Sequence, residues 1–401
     1  LTGVQELVAG VSLVAPMFTL MIAFGDIFGL GGSSAISRLL GEKKDNEAKK
    51  TCAFCIWISL VFGLCISAIL LLFRTQILGL LGVGKDTYQY ANAYYTWIAI
   101  GAVSIIFSMV PSNILRTEGL AVQSMAGSII GSIVNIIFDP IFIFGLNQGA
   151  AGAAMATVLG NIIADIYYVY AVVKKSKRLT CSPSHMKVTG RRIRDILMIG
   201  IPASITNIMQ TFMMVMTNNF LLTYGTDKVA AMGIALKVNM ITALVLVGFA
   251  FGGQPLVGYN YGAKNEKRLK NILKFAYLFE MGLFTILMCI FAPQIIKVFM
   301  DKPDIITNGA MMLRFQQIGM TFMSVSLIST CVCQAVGNAG GAFVLSISRQ
   351  GVIYVLALFI MSNVFGYTGV LVSQACSDVV TALIAAVIML KIMKKLTNKN
   401  E

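Results

Sequence analysis

The residues best able to do chemistry lie in one apolar segment, 122–144, which contains Asn135, Asp139 and Pro140. Asn135 and Asp139 are four residues apart, so they share one face of a helix. Pro140 has no backbone N–H, which leaves the carbonyl of Ile136 without its helical partner. A carboxylate, an amide oxygen and a free carbonyl are ligands that a hard cation such as Na+ prefers. The same carboxylate can instead carry a proton.

Asp139 also has a purely structural interpretation, in which it pairs with a neighbouring helix or stabilises the bend at Pro140. Ionisable groups in hydrocarbon cost about 2.5–3.5 kcal/mol at the centre of a helix, so each one requires a reason. For seven others, a pair between helices or a position near the headgroups is the preferred interpretation. These seven are Asp26, Asp165, Lys237, Glu280, Arg314, Arg349 and Asp378.

The elements that must position these groups are membrane-spanning helices. Hydrophobic residues make up 57% of the chain and charged residues only 12%, with a mean hydropathy of +0.81. Such a composition excludes a water-soluble domain. Eleven apolar runs are long enough to cross about 30 Å of hydrocarbon, which predicts an all-α polytopic membrane protein. The runs fall at 8–36, 52–73, 90–115, 122–144, 151–173, 195–222, 229–258, 272–293, 308–336, 342–365 and 369–391.

Basic residues are divided unevenly between the loops on the two sides of the predicted membrane. The loops on one side contain 22 Lys and Arg residues, and the loops on the other side contain five. Because basic loops stay in the cytoplasm, segment 174–194 and the C-terminus are expected there. This topology accounts for the net charge of +14. Nucleic-acid binding is not expected, because the charges are spread over short loops with no folded domain to present them.

An internal repeat relates the two halves of the sequence. Gly31, Gly32, Gly41 and Lys43 match Gly252, Gly253, Gly262 and Lys264 at an offset of 221 residues. Gly119 matches Gly337 at an offset of 218, and Gly149 and Gly152 match Gly366 and Gly369 at an offset of 217. Two related halves are typical of transporters whose lobes move against each other.

The repeat predicts an N-lobe at 1–173, a basic cytoplasmic linker at 174–194 and a C-lobe at 195–401. The second half has six predicted spans and the first has five, because the span at 195–222 has no counterpart in the first half. Two pseudo-symmetric bundles of twelve helices in all are therefore expected. This sequence is expected to contain eleven of them and to lack the first.

The chain resembles the multidrug and toxic-compound extrusion (MATE) family, and is closest to its MepA-like bacterial branch. The resemblance spans essentially the whole sequence. It is carried by GLGGSSAISRLLGEKK (29–44), ILRTEG (114–119), NIIFDPIFIFG (135–145), GAAGAAMATVLG (149–160), IGIPASI (199–205) and GGQPLVGYNYGAK (252–264). It implies a V-shaped pair of six-helix bundles that alternates between inward-open and outward-open states.

The resemblance also implies an antiporter, a secondary transporter rather than an enzyme, in the bacterial cytoplasmic (inner) membrane. Family members export organic cations and other amphipathic compounds in exchange for incoming Na+ or H+. The implied partners are therefore a small cationic or amphipathic molecule and the lipid bilayer, with no nucleic acid. No cofactor is expected besides the coupling ion, and the chain is expected to act as a monomer.

The same resemblance places the ligands of the coupling ion in the N-lobe. The matching positions are Asn113, Asn135, Asp139 and Thr157. Asp139 and Asn135 are the candidates to hold Na+ directly. The family's other N-lobe carboxylate lies on the first helix, which this sequence is expected to lack.

The helix predicted at 195–222 contains amide side chains and no acid beyond Asp195 at its first residue, so coupling is expected to depend on the N-lobe. Asn207, Gln210, Met213 and Met214 on this helix are candidates for the wall of a substrate cavity. Flexible methionines suit varied substrates, although packing against lipid or protein is their simpler interpretation.

Three other functions are alternatives to export. A lipid-linked-oligosaccharide flippase of the same superfamily shares the two-lobe plan, but usually has a more cationic cavity. An intramembrane lipid-phosphate transferase would need an acidic metal cluster or a nucleophile with its base, and the sequence shows neither. A nucleotide-driven pump would need a GxxxxGK[ST] phosphate loop, which is absent from the sequence.

Overall fold

The computed structural model describes residues 2–222, 226–280, 285–294 and 303–397, and within these ranges every regular element is a helix. The helices, named in chain order, are α1 Thr2–Gly41, α2 Asp45–Leu72, α3 Arg74–Leu80, α4 Tyr88–Thr117, α5 Ala121–Pro140, α6 Gly149–Lys174, α7 Gly190–Leu222, α8 Thr226–Gly262, α9 Glu266–Tyr277, α10 Thr285–Ile290, α11 Pro303–Val336, α12 Ala339–Ile347 and α13 Ile353–Thr397. Short π-helical turns follow α5 at Ile141–Gly145 and α12 at Ser348–Val352. The structure confirms the prediction of an all-α polytopic fold.

Nine stretches of the described chain are long and apolar enough to cross a membrane. They are Gly10–Gly41, Asp45–Leu72, Tyr88–Thr117, Ala121–Gly145, Gly149–Lys174, Thr242–Gly262, Gly319–Val336, Ala339–Gly366 and Val372–Lys394. The last two are separated by a break at Gly366, whose φ is 55°. The predicted spans at 195–222 and 272–293 are not among the nine. Helix α7 covers the first of these, and the second includes residues 281–284, which lie outside the described ranges.

The chain divides into two compact units, Leu1–Ile208 and Met209–Glu401. The boundary lies inside α7, whereas the sequence predicted that the second lobe begins at 195. The first part of α7 packs tightly on α1, where a Cβ added at Gly200 would overlap the carbonyl oxygen of Ile27. This backbone contact assigns the beginning of α7 to the first unit.

Helix α4 lies at the centre of the first unit and contacts α1, α2, α5 and α6. Tyr95, Ile98, Ile105 and Ile106 on this helix are buried, and they pack against apolar side chains of α1 and α2. The Tyr95 hydroxyl donates a 2.9 Å hydrogen bond to the carbonyl of Leu70. A helix that is apolar on every side is expected at the centre of a bundle, because each of its faces packs against another helix.

The internal repeat predicted from the sequence is visible in the backbone. Residues at equivalent turns have the same positive φ: 59° and 54° at Lys43 and Lys264, 86° and 79° at Gly119 and Gly337, and 50° and 55° at Gly149 and Gly366. The hydrogen bonds of these turns are repeated as well. Lys44 N donates to Leu39 O at 2.9 Å, and Asn265 N donates to Asn260 O at 3.0 Å. The two halves therefore end and restart their helices in the same way.

The linker after α6 is attached to the first unit by side chains of two helices. Glu118, just after α4, accepts hydrogen bonds from the backbone N–H groups of Lys177 and Arg178 at 2.7 and 2.8 Å, and from the hydroxyl of Ser176. Trp57 of α2 donates a 2.9 Å hydrogen bond to the carbonyl of Cys181. Burial raises the pKa of the Cys181 thiol to about 11. This part of the linker is therefore docked.

The tight contact between α7 and α1 leads to a prediction about stability. Gly200→Ala should lower the free energy of unfolding by about 1–3 kcal/mol, because an added Cβ forces the two helices apart. Gly190→Ala on the same helix is the matched control, since nothing lies within 4 Å of a Cβ there. Thermal unfolding of the detergent-purified protein measures both variants. If Gly200→Ala melted at the same temperature as Gly190→Ala and the unaltered protein, the close contact between α7 and α1 would be contradicted.

The docked linker leads to a prediction about thiol reactivity. Since only the thiolate is alkylated, modification of Cys181 by iodoacetamide should be slow at neutral pH and rise about tenfold per pH unit up to pH 10. Glu118→Ala should release the linker, expose the thiol and speed modification at pH 8, whereas Glu42→Ala should not. Mass spectrometry of the Cys181 peptide follows the reaction. An unchanged rate in Glu118→Ala would show that Glu118 does not hold the linker.

Candidate functional site

Helices α5 and α6 bring two of the predicted site residues together. A Cβ added at Gly160 would lie 2.5 Å from the carbonyl oxygen of Gly131, and one added at Gly131 would lie 2.9 Å from that of Gly160. Small residues allow membrane helices to approach this closely. Next to this contact, Asn135 Nδ2 donates a 3.3 Å hydrogen bond to Thr157 Oγ1.

Asp139 lies one turn beyond Asn135 on α5 and is half-buried. Its Oδ1 is shielded from solvent, and no group within the described ranges donates a hydrogen bond to it. Tyr94 of α4 lies within electrostatic range of the carboxylate. Pro140 comes next and is the last residue of α5, and the π-helical turn Ile141–Gly145 follows it. Such a turn is a backbone irregularity that is frequent at functional sites. The site therefore presents a carboxylate oxygen that can accept a cation or a proton.

A series of polar contacts continues from Asn135 and Thr157 along α6 and α4. Asn161 Nδ2 donates to the Thr157 carbonyl at 2.9 Å. The Ser108 hydroxyl lies 3.3 Å from Asn161 Oδ1 and 2.7 Å from the carbonyl of Ser104. Ser104 in turn donates a 2.5 Å hydrogen bond to Asp165 Oδ2. We refer to Asn135, Thr157, Asn161, Ser108, Ser104 and Asp165 as the polar track.

The polar track includes residues that the sequence analysis did not assign to the site. The sequence favours for Asp165 a pair between helices or a position near the headgroups. The structure confirms a hydrogen bond to Ser104, but the second carboxylate oxygen of Asp165 is buried without a donor in the described part of the chain. A signal was present in the sequence, because Thr157, Asn161 and Asp165 recur every four residues and so share one face of α6.

Asn113 is not hydrogen-bonded to the other predicted ligands. Its Nδ2 donates to the carbonyl of Met109 at 2.8 Å on its own helix. The same atom faces α1, 3.1 Å from where a Cβ would stand on Gly29. The structure thus brings Asn135 and Thr157 into contact, places Asp139 one turn away, and puts Asn113 at the α1–α4 contact.

The predicted substrate-cavity residues are divided by the boundary between the units. Asn207 belongs to the first unit, where its Nδ2 donates a 2.8 Å hydrogen bond to Asp26 Oδ2. Gln210 is exposed and Met213 is half-buried, while the side chain of Met214 lies outside the described part of the structure. Their role in substrate binding stays a prediction.

The site and the fold together define a class of protein. In the described part of the chain, nine stretches are long and apolar enough to cross a membrane, turns are repeated between two halves, and polar residues gather inside one unit. These features are typical of membrane transporters built by duplication. The MatE family model matches residues 4–141 and 202–360, and the chain belongs to this family of transporters. The comparison confirms the predicted family, and it confirms a transporter rather than an enzyme.

Similar proteins agree with this assignment. The chain is 30% identical over 396 residues to multidrug export protein MepA of Staphylococcus haemolyticus (strain JCSC1435), which covers 98% of this chain and 87% of that protein. It is 29% identical over 398 residues to MepA of Staphylococcus saprophyticus subsp. saprophyticus, with 98% and 88% covered. The predicted MepA-like branch is confirmed.

Solved structures show the same fold. A crystal structure of MATE in the straight conformation superposes with a TM-score of 0.88 at 26% identity, over 98% of this chain and 89% of that one. A MOP superfamily transporter from Pyrococcus furiosus Vc1 (DSM3638) gives a TM-score of 0.85 at 25% identity, over 97% and 88%. That transporter is described as having a binding pocket of reverse polarity that suggests a different function.

Proposed function

We propose that this chain is a multidrug efflux transporter that exports small cationic or amphipathic molecules in exchange for Na+ or H+ by alternating access. Two similar proteins are named as multidrug export proteins, and they align with 98% of the chain. The observation that carries the coupling proposal is Asp139 Oδ1, a shielded carboxylate oxygen without a donor among the described residues. Hydrocarbon penalises such an oxygen unless it receives a cation or a proton.

In this proposal, Asp139 supplies the negative charge of the site and its neighbours supply neutral oxygens. Asn135 uses its amide N–H to bond Thr157, which leaves its carbonyl oxygen as an acceptor. Carboxylate, amide and hydroxyl oxygens form the donor set that suits Na+, and a proton would bind the carboxylate alone. The polar track connects this site to Asp165, which provides a second carboxylate for proton exchange.

The transporter would lie in the cytoplasmic membrane of a bacterium, with segment 174–194 and the C-terminus in the cytoplasm. The excess of basic residues in the loops of that side supports this orientation. One chain contains both units, so the proposed cycle needs no second copy.

Asp139→Asn should abolish efflux without lowering expression, because asparagine has nearly the same shape but cannot bind a proton or neutralise Na+. Cells that produce the variant should accumulate ethidium to the level of cells without the transporter. Asp86→Asn is the matched control, since Asp86 is exposed in the loop between α3 and α4. Wild-type efflux in Asp139→Asn would remove this carboxylate from the mechanism.

The proposed orientation can be tested with cysteines introduced at two exposed positions. Ser184→Cys in the linker should react with a membrane-impermeant maleimide only after the cells are permeabilised. Lys85→Cys, in the loop on the opposite side, should react in intact cells. Both variants are made in a background that lacks Cys65 and Cys181. The reverse pattern would overturn the orientation.

A further inference from the structure

The second unit contains a buried ion pair inside its membrane-spanning helices. Arg349, in the π-helical turn after α12, donates a 3.0 Å hydrogen bond from Nε to Asp378 Oδ1 on α13. The two side chains are only 13% and 5% exposed. Gln374 Nε2 lies 3.3 Å from each oxygen of the same carboxylate. The charge of Asp378 is therefore compensated within the second unit.

The internal repeat relates this pair to the polar track of the first unit. The offset of 218 residues aligns Gly131 with Arg349, and the offset of 217 aligns Thr157 and Asn161 with Gln374 and Asp378. Asp378 therefore stands in the second unit where Asn161 of the polar track stands in the first.

The close helix contact beside the track is repeated too. Gly160 touches the carbonyl oxygen of Gly131, and its counterpart Ser377 donates a 2.8 Å hydrogen bond to the carbonyl oxygen of Arg349. Because both the sequence register and the contact agree, the ion pair occupies the same helix crossing as the polar track.

Further buried oxygens lie close to the ion pair in sequence, on α12 and on the elements that carry the pair. Four buried side-chain oxygens have no donor among the described residues: Ser346 Oγ, Gln350 Oε1, Gln374 Oε1 and Thr381 Oγ1. A guanidinium group has five N–H donors, and in the described part of the chain Arg349 uses one of them, towards Asp378. These elements are thus rich in hydrogen-bond acceptors.

We propose that the guanidinium of Arg349 is a permanently attached cation, which occupies in the second unit the helix crossing that the polar track occupies in the first. The pair with Asp378 is neutral, so it provides no net charge to attract a second cation. Asp139 of the first unit has no ion-pair partner among the described residues. This crossing of the second unit therefore takes no part in cation exchange. This last consequence rests on the proposed function, whereas the occupation of the crossing by Arg349 does not.

The test removes the guanidinium group of Arg349 by substitution and supplies a free guanidinium ion in solution. Arg349→Ala leaves Asp378 buried without its cation, and the melting temperature of the purified protein should fall by about 10 °C. Guanidinium chloride at millimolar concentration, far below denaturing levels, should restore most of this loss. Sodium chloride at the same concentration should not. The double variant Arg349→Ala/Asp378→Asn should be more stable than Arg349→Ala alone and should not respond to guanidinium.

Each outcome decides the proposal. No rescue by guanidinium, equal rescue by sodium chloride, or rescue that persists in the double variant would overturn it. If Arg349→Ala does not fold, the double variant should restore folding, because it removes the uncompensated carboxylate, and failure to do so would contradict the proposal. The melting temperature can be measured without any transport. The same rescue of Arg349→Ala by guanidinium is therefore expected in an Asp139→Asn background, even if the coupling proposal is wrong.

Discussion

The structure depends on one physical constraint: a charged or polar oxygen inside hydrocarbon must have a partner. Two of the buried carboxylates satisfy this constraint with a neighbouring helix, as Asp26 does with Asn207 and Asp378 does with Arg349. Oδ1 of Asp139 is shielded and has no donor in the described part of the chain. The proposed exchange of a cation follows from this contrast, because a group without a fixed partner can take one up and release it.

Glycine contacts make these polar arrangements possible. Gly131 and Gly160 bring α5 and α6 close enough for short side chains such as Asn135 and Thr157 to meet. At the equivalent crossing in the second unit, the glycines are replaced by Arg349 and Ser377, and the crossing holds an ion pair instead. A duplicated backbone thus supports two different electrostatic arrangements, a network of neutral and acidic side chains in the first unit and an ion pair within the protein in the second.

Much of the fold was predictable, since hydropathy and the repeat are properties of sequence alone. The turns at Lys43 and Lys264, and at Gly119 and Gly337, have the matched conformations that their spacing predicted. The boundary inside α7 was not predictable, because it depends on a backbone contact between Gly200 and Ile27, which are far apart in sequence. A pair between helices was among the interpretations of Asp165, but its partner Ser104 could not be identified from the sequence, because hydropathy does not define how helices are rotated.

The central claim is that a cation gradient acting through Asp139 drives export, and transport into proteoliposomes tests it most directly. Vesicles with the purified protein would be loaded with Na+ or with acid, diluted into medium without that gradient, and assayed for uptake of a fluorescent organic cation. We expect uptake against the substrate's own concentration gradient with one of the two cations, matched by outward movement of that cation and absent in Asp139→Asn. Uptake that never exceeds equilibrium, or that persists in the variant, would contradict the account.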